Sequence, residues 1–379
     1  FVRHLKTTTM GNKLLNITTQ TYSKAQILKS RFEAEGIECF LENLDHPELS
    51  IEVKLMVNEE DGEKALRIIK AFEEENEAKS ILQRERIKEI KRILVPIDFS
   101  DYSENACHFA LGLAAKYHAH LKLLHSYFYP GLAAMPFEET YTYNDSMTTY
   151  LNDMQIKAEK NLKRYKKALL DVIEKEKIEG VTVDYTLDRG FIEDSVISLS
   201  ESFHPDLIVA GAVRKDERNR FAIGNLPVKI IEKTKIPLLL IPADTRFDGL
   251  DKIKNLMYAT DFDESDFITI KRLMKFVETI NIKVHCVHVG SDIKNPWNIV
   301  RMESLKEYFL KMYGKVNIDT ALIENEDIIN GMLDFIHKNN IDVLALTTHK
   351  RNLITKIISP SIAKKMLFET HIPLLIFHS

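Results

Sequence analysis

The stretch "KRILVPIDFSDYSENA" (91–106) returns later in the chain as "KNLMYATDFDESDFIT" (254–269), each an apolar run ending in Asp-Phe. Four further pairs follow in the same order. "LKLLHSY" (121–127) parallels "VHCVHVG" (284–290), and "VTVDYTL" (181–187) parallels "VNIDTAL" (316–322). "PDLIVAGAVRK" (205–215) parallels "IDVLALTTHKR" (341–351), and "KIPLLLIP" (235–242) parallels "HIPLLIF" (371–377). Five ordered matches establish an internal repeat. Each matched run is short, rich in β-branched residues and almost continuously apolar, the pattern of parallel strands covered on both faces. Amphipathic stretches such as "SENACHFALGLAAKYH" (103–118) lie between them and read as helices. Strand and helix alternate, so each repeat is expected to be a doubly wound α/β domain of five parallel strands. Ligands of such sheets sit beyond the carboxyl ends of the strands, where the strand order reverses.

Length and composition agree with a multidomain globular chain. At 379 residues, with 45% hydrophobic and 28% charged residues, two or three domains of about 150 residues are expected. The net charge of −4 argues against general attraction to nucleic acid or to an anionic membrane. No apolar run approaches the roughly 18 residues of a spanning helix. Cys39, Cys107 and Cys286 are widely spaced and form no CxxC pair, which fits a reducing compartment, so a cytoplasmic location is expected. His285, Cys286 and His288 are close in sequence, but strand alternation turns His285 away from the other two. No metal site is expected, and no P-loop, G-x-S-x-G or G-x-G-x-x-G follows a strand.

Residues 1–10 read as a tail outside the fold. Residues 12–75 read in the order β-α-β-β-α, with the first helix stopped by Gly36, an α+β unit of ferredoxin-like character. Residues 76–91 read as a charged connector helix, 92–243 as the first repeat domain and 252–379 as the second. The first repeat carries an insertion between its second and third strands that includes residues 126–155, rich in Tyr, Phe and Met. It is expected either to pack over its own domain or to serve as a lid or partner surface.

On these residues the two repeats resemble universal stress protein domains in tandem, over about residues 91–379. The resemblance is carried by "ILVPIDFS" with Asp98 at the end of the first strand, the Gly190 turn after the third, the loop after the fourth and the "KIPLLLIP" strand. It implies two five-stranded Rossmann-like domains related to adenine-nucleotide-binding folds. Residues 12–75 resemble a small domain, described as signal-transducing, that is common in prokaryotes, through "FEAEGIECF".

ATP-binding members of the stress-protein family carry G-x2-G-x9-G-(S/T) after the fourth strand. Glycines there let the backbone reach phosphate oxygens, and the last Gly-Ser/Thr opens a helix whose N-terminus holds the anion. The first repeat keeps the frame as Gly211, Arg214, Gly224 and Asn225, with arginine in place of the middle glycine. Arg214 would either block the phosphate path or pair with a phosphate. Asn225 and Pro227 suit a helix start. The second repeat reads Thr347, Lys350, Pro360 and Ser361, with every glycine gone, and Asn325 replaces Gly190. Asp98 and Asp261 would accept hydrogen bonds from a ligand or cap the following helix, while His125 and His288 read as packed histidines near the crevice mouth.

The resemblance therefore implies a non-catalytic stress-response or signalling protein with degenerate nucleotide loops. The alternative is an ATP- or AMP-binding protein using Asp98, Gly190, Gly211, Arg214, Gly224 and Asn225 of the first repeat, with slow hydrolysis. A third reading is an interaction scaffold for an unidentified protein partner. Family members pair through the last strand, so the two repeats are expected to imitate that dimer within one chain, and two chains could pair in addition.

Overall fold

The computed structural model describes residues 14–43, 52–73, 90–128, 145–212, 226–262, 264–278, 280–313, 317–348 and 360–378. The chain divides into two units, Phe1–Ile87 and Lys88–Ser379.

In the first unit β1 (Leu14–Thr21), α1 (Tyr22–Ala34), β2 (Cys39–Asn43), β3 (Glu52–Asn58) and α2 (62–73) follow in that order. The antiparallel sheet runs β1-β3-β2. Alternate residues Val53, Leu55 and Val57 of β3 turn to one face, where they meet Ala25, Leu28 and Phe32 of α1 and Ala65, Ile69 and Phe72 of α2. Gly36, at φ +73, turns the chain out of α1, and the Ile37 N–H closes the end on Phe32 O at 2.8 Å.

In the second unit the strands are β4 (Arg92–Pro96), β5 (His120–Tyr127), β6 (Thr182–Arg189), β7 (Leu207–Ala212) and β8 (Leu238–Pro242), then β9 (Asn255–Ala259), β10 (Lys283–Gly290), β11 (Ile318–Glu324), β12 (Val343–Thr348) and β13 (Leu374–His378). The helices are α3 (Asp101–Tyr117), α4 (Asp145–Lys175), α5 (Ile192–Phe203) and α6 (Leu226–Lys233) in the first repeat, and α7 (Glu264–Glu278), α8 (Pro296–Tyr313), α9 (Ile328–Lys338) and α10 (Pro360–Glu369) in the second.

All ten strands form one sheet in the order β11-β10-β9-β12-β13-β8-β7-β4-β5-β6. Within each half, neighbours are parallel and the order is 3-2-1-4-5 in the half's own numbering, so the switch point lies between its first and fourth strands. The halves join where β13 meets β8 antiparallel, with Leu375 opposite Leu239. The two apolar last strands thus cover each other's open edge inside one chain. β7, β8, β12 and β13 are buried along their whole length, which explains their unbroken apolar runs.

One pair of acids sets the strand entries. The Asp206 carboxylate accepts the N–H groups of Lys91 and Arg92 at 2.9 and 3.0 Å, and Asp342 does the same for Lys254 and Asn255 at 2.7 and 2.8 Å. Because of this tie Lys91 is not helical, and Ile90 is buried in the core. The expected connector helix therefore does not reach its end at 91, while residues 76–89 lie outside the described residues. Of residues 126–155, Ser126 and Tyr127 complete β5 and Asp145 onward forms the start of α4; residues 129–144 lie outside the described residues.

The link between the repeats is held to α3. Phe247 packs on Phe109 with ring centroids 4.7 Å apart and sits where a Cβ on Gly112 would stand, 2.3 Å from its Cζ. Tyr117 donates its hydroxyl to Phe276 O at 2.7 Å, and Thr245 donates to His371 O at 2.7 Å.

Candidate functional site

The first-repeat crevice opens where β4 and β7 end. After β4 the chain turns through Phe99, whose φ of +66 is unusual for a bulky side chain. That turn swings its ring onto His125, with centroids 4.2 Å apart, and against Tyr165 at 5.4 Å. The second repeat repeats the device: Phe262, at φ +62, stacks on His288 at 4.4 Å. Each histidine donates Nδ1–H to the backbone just before the turn, His125 to Ile97 O at 2.8 Å and His288 to Thr260 O at 2.9 Å. Burial pushes both imidazoles below their ordinary value of 6.5. Both are packed histidines, as the sequence reading expects. His285 points to the other face of β10, where it meets Phe335.

Asp98 is half-buried and its two oxygens are divided between neighbours on its own chain. Oδ1 accepts from the Ser100 N–H at 3.1 Å and from the Ser100 hydroxyl, and Oδ2 accepts from the Tyr102 hydroxyl. Burial, then the bond to Asp98, push the Tyr102 phenol up to about 12. Helix α3 is capped by Ser100, whose side chain accepts the Ser103 N–H at 3.3 Å. Asp98 thus supports the cap and does not supply it.

Gly211, the penultimate residue of β7, lies under the first turn of α3. A Cβ there would stand 2.7 Å from Tyr102 O and 2.9 Å from Tyr102 C. A glycine at this position is required by close packing of α3 on β7, whether or not a phosphate is present. Gly190 differs: it has φ +142, and a Cβ built on it meets nothing within 4 Å. Its N–H donates to Tyr127 O at 3.1 Å, and its carbonyl accepts the Ser126 hydroxyl. Arg214, Gly224 and Asn225 lie outside the described residues. The helix they precede starts at Leu226, with Pro227 in its first turn.

The second crevice is built differently. Thr347, in register with Gly211, is fully buried and its hydroxyl lies 2.8 Å from the Tyr258 hydroxyl. Tyr258 donates to Asp266 Oδ1 at 2.6 Å, and Thr260 donates to Asp266 Oδ2. All four residues are 2% exposed or less. Burial and the Asp266 charge push the Tyr258 phenol well above the ordinary 10.0. At the third-strand turn, Asn325 accepts the Asp327 N–H at 2.9 Å, and Asp327 caps α9 through Ile329 and Asn330. The last helix, α10, starts at Pro360, as expected.

Asp98, Gly190 and Gly211 each follow or end a strand on the carboxyl side of the first-repeat sheet, whereas Ser100, Tyr102 and the Tyr258–Asp266–Thr347 group were not singled out as site residues from the sequence. A signal was present for the last of these. In register, Tyr258 replaces Val95 and Asp266 replaces Ser103, so polar groups enter positions that are buried in the first repeat. Among the described residues no cluster of three or more His, Cys, Asp or Glu could hold a metal ion, and no helix is long and apolar enough to cross a membrane.

Known proteins match both parts of the chain. Residues 17–73 match the family model named "Putative prokaryotic signal transducing protein". A universal stress protein of Synechocystis sp. is 24% identical over 303 residues, which cover 76% of this chain and all of that one. A crystal structure of a universal stress protein from Archaeoglobus fulgidus has the same fold over 76% of this chain and 97% of its own, at 14% identity and a TM-score of 0.55. The universal stress protein family model matches residues 89–242 and again 252–378, so this chain, with its two fused five-stranded halves, belongs to the universal stress protein family.

Proposed function

We propose that the chain is a non-catalytic stress-response or signalling protein whose two crevices are held by its own side chains rather than by a nucleotide. The observation that carries this reading is the double engagement of Asp98, whose oxygens are both taken by hydroxyls of Ser100 and Tyr102. A ligand reaching for that carboxylate must displace bonds that are already formed and partly shielded from water. The buried Tyr258–Asp266–Thr347 group argues more strongly against a ligand in the second repeat.

One observation favours a second reading, an adenine nucleotide in the first repeat alone. The space around Gly190 is open, and α6 begins directly after the frame of Gly211, Arg214, Gly224 and Asn225. Under this reading Arg214 pairs with phosphate and its loop supplies the backbone donors. Thermal unfolding with ATP, ADP and AMP separates the two. A ligand at about 100 times its dissociation constant stabilises by roughly 2.7 kcal/mol, a rise of several degrees. The first reading predicts no rise with any of the three. A rise that Gly224→Val abolishes and Pro360→Val leaves in place would establish the second.

A further inference from the structure

A large cleft among the described residues lies away from both crevices. It holds about 1220 Å³ and is lined by α3, the end of α4, the inter-repeat link and the turn before β10. Lys254 directly precedes β9, and Ile280 and Asn281 precede β10, so the cleft opens at the amino ends of the strands. Asp98, Gly190 and Gly211 stand at the opposite ends.

Its wall is apolar and incompletely covered. Val172, Phe247, Leu250, Ile253 and Ile280 pack against the core yet remain partly exposed, and all five face this one space. A contiguous apolar surface from three segments, set in a concavity, is the arrangement of a small-molecule site. The charges around it are unevenly compensated. Asp248 pairs with Arg246 at 3.4 Å, and Asp251 pairs with Lys252 at 3.6 Å. That leaves Lys116 and Lys254, both exposed and without an ion partner among the described residues, against the carboxylate of Glu176.

We infer that this cleft binds an amphipathic organic anion, its apolar body on the Phe247–Ile280 wall and its carboxylate or sulfonate head toward Lys116 and Lys254. The site exists only because the two repeats share a chain: Phe247 and Leu250 belong to the link, and Gly112 provides the notch that holds Phe247 in place. It does not depend on whether either crevice takes a nucleotide.

The full chain is titrated with 8-anilinonaphthalene-1-sulfonate. Saturable fluorescence enhancement at one site per chain is expected, displaced by decanoate and not by decyltrimethylammonium. Lys116→Glu combined with Lys254→Glu should weaken the probe by about tenfold or more while the protein still unfolds in one cooperative transition, its midpoint lowered only slightly by the charge placed in the last turn of α3. Ile280→Trp, which fills the cleft, should abolish binding; should that variant fail to fold, the charge reversal on two exposed side chains decides alone. Absence of saturable binding, equal displacement by the cation, or unchanged affinity in the lysine variant overturns the assignment.

Discussion

Gly211 shows how one residue can satisfy a motif for a reason unrelated to the motif's usual ligand. Its missing side chain makes room for the Tyr102 backbone, 2.7 Å from where a Cβ would stand. Gly211→Ala should therefore destabilise the ligand-free protein by about 1–3 kcal/mol through overpacking, read by urea denaturation. Unchanged stability would mean that the glycine serves only a ligand. The two packed histidines make a second prediction. Burial holds His125 and His288 below 6.5, so as pH falls the unfolded chain takes up protons that the folded chain refuses. Neither residue affects stability well above pH 6.5; below it stability declines until the folded imidazoles also charge. The double variant His125→Gln/His288→Gln should flatten that decline below pH 6.5 in a series of denaturation curves. The carboxylates nearest them, Asp98 and Asp261, favour the charged form and limit the effect without reversing it.

At the scale of elements, the two halves solve the same turn in opposite ways. In the first, the β4–α3 turn is organised by a half-buried carboxylate and two hydroxyls at its mouth; in the second, the bonds move inward to Tyr258, Thr260, Asp266 and Thr347 between β9, α7 and β12. Burial decides which set matters more. Tyr258→Phe leaves Asp266 and Thr347 short of a partner where water cannot replace it, and should cost about 1–3 kcal/mol. Tyr102→Phe removes a similar bond where water can reach, and should cost about 1 kcal/mol or less. Equal losses, measured by chemical denaturation of the two variants, would contradict this ordering. The elements themselves were legible in the sequence because buried parallel strands must be apolar on both faces, and Gly36, Pro227 and Pro360 mark helix ends by backbone geometry alone. The turn chemistry was not. It depends on Phe99 and Phe262 entering the left-handed region, which no local propensity favours, and on partners brought in from other strands. The role of Asp206 and Asp342 was hidden for the same reason: each acid binds a strand start far away in sequence.

Across the whole of the second unit, duplication and fusion have joined two sheets through β8 and β13 into ten strands, with both crevices opening from one continuous scaffold. The repeat in the sequence was sufficient to place the crevices, since strand order and switch point follow from the doubly wound plan. Whether a crevice is occupied by the chain itself depends on which side chains meet there, and spacing alone does not encode that. Crystals grown with millimolar ATP test whether the chain fills its own crevices, as proposed. No nucleotide density is expected beyond the strand ends at Asp98 and Gly211, with the Asp98 carboxylate still on the Ser100 and Tyr102 hydroxyls. Nucleotide density there, with Tyr102 displaced from Asp98, would contradict it.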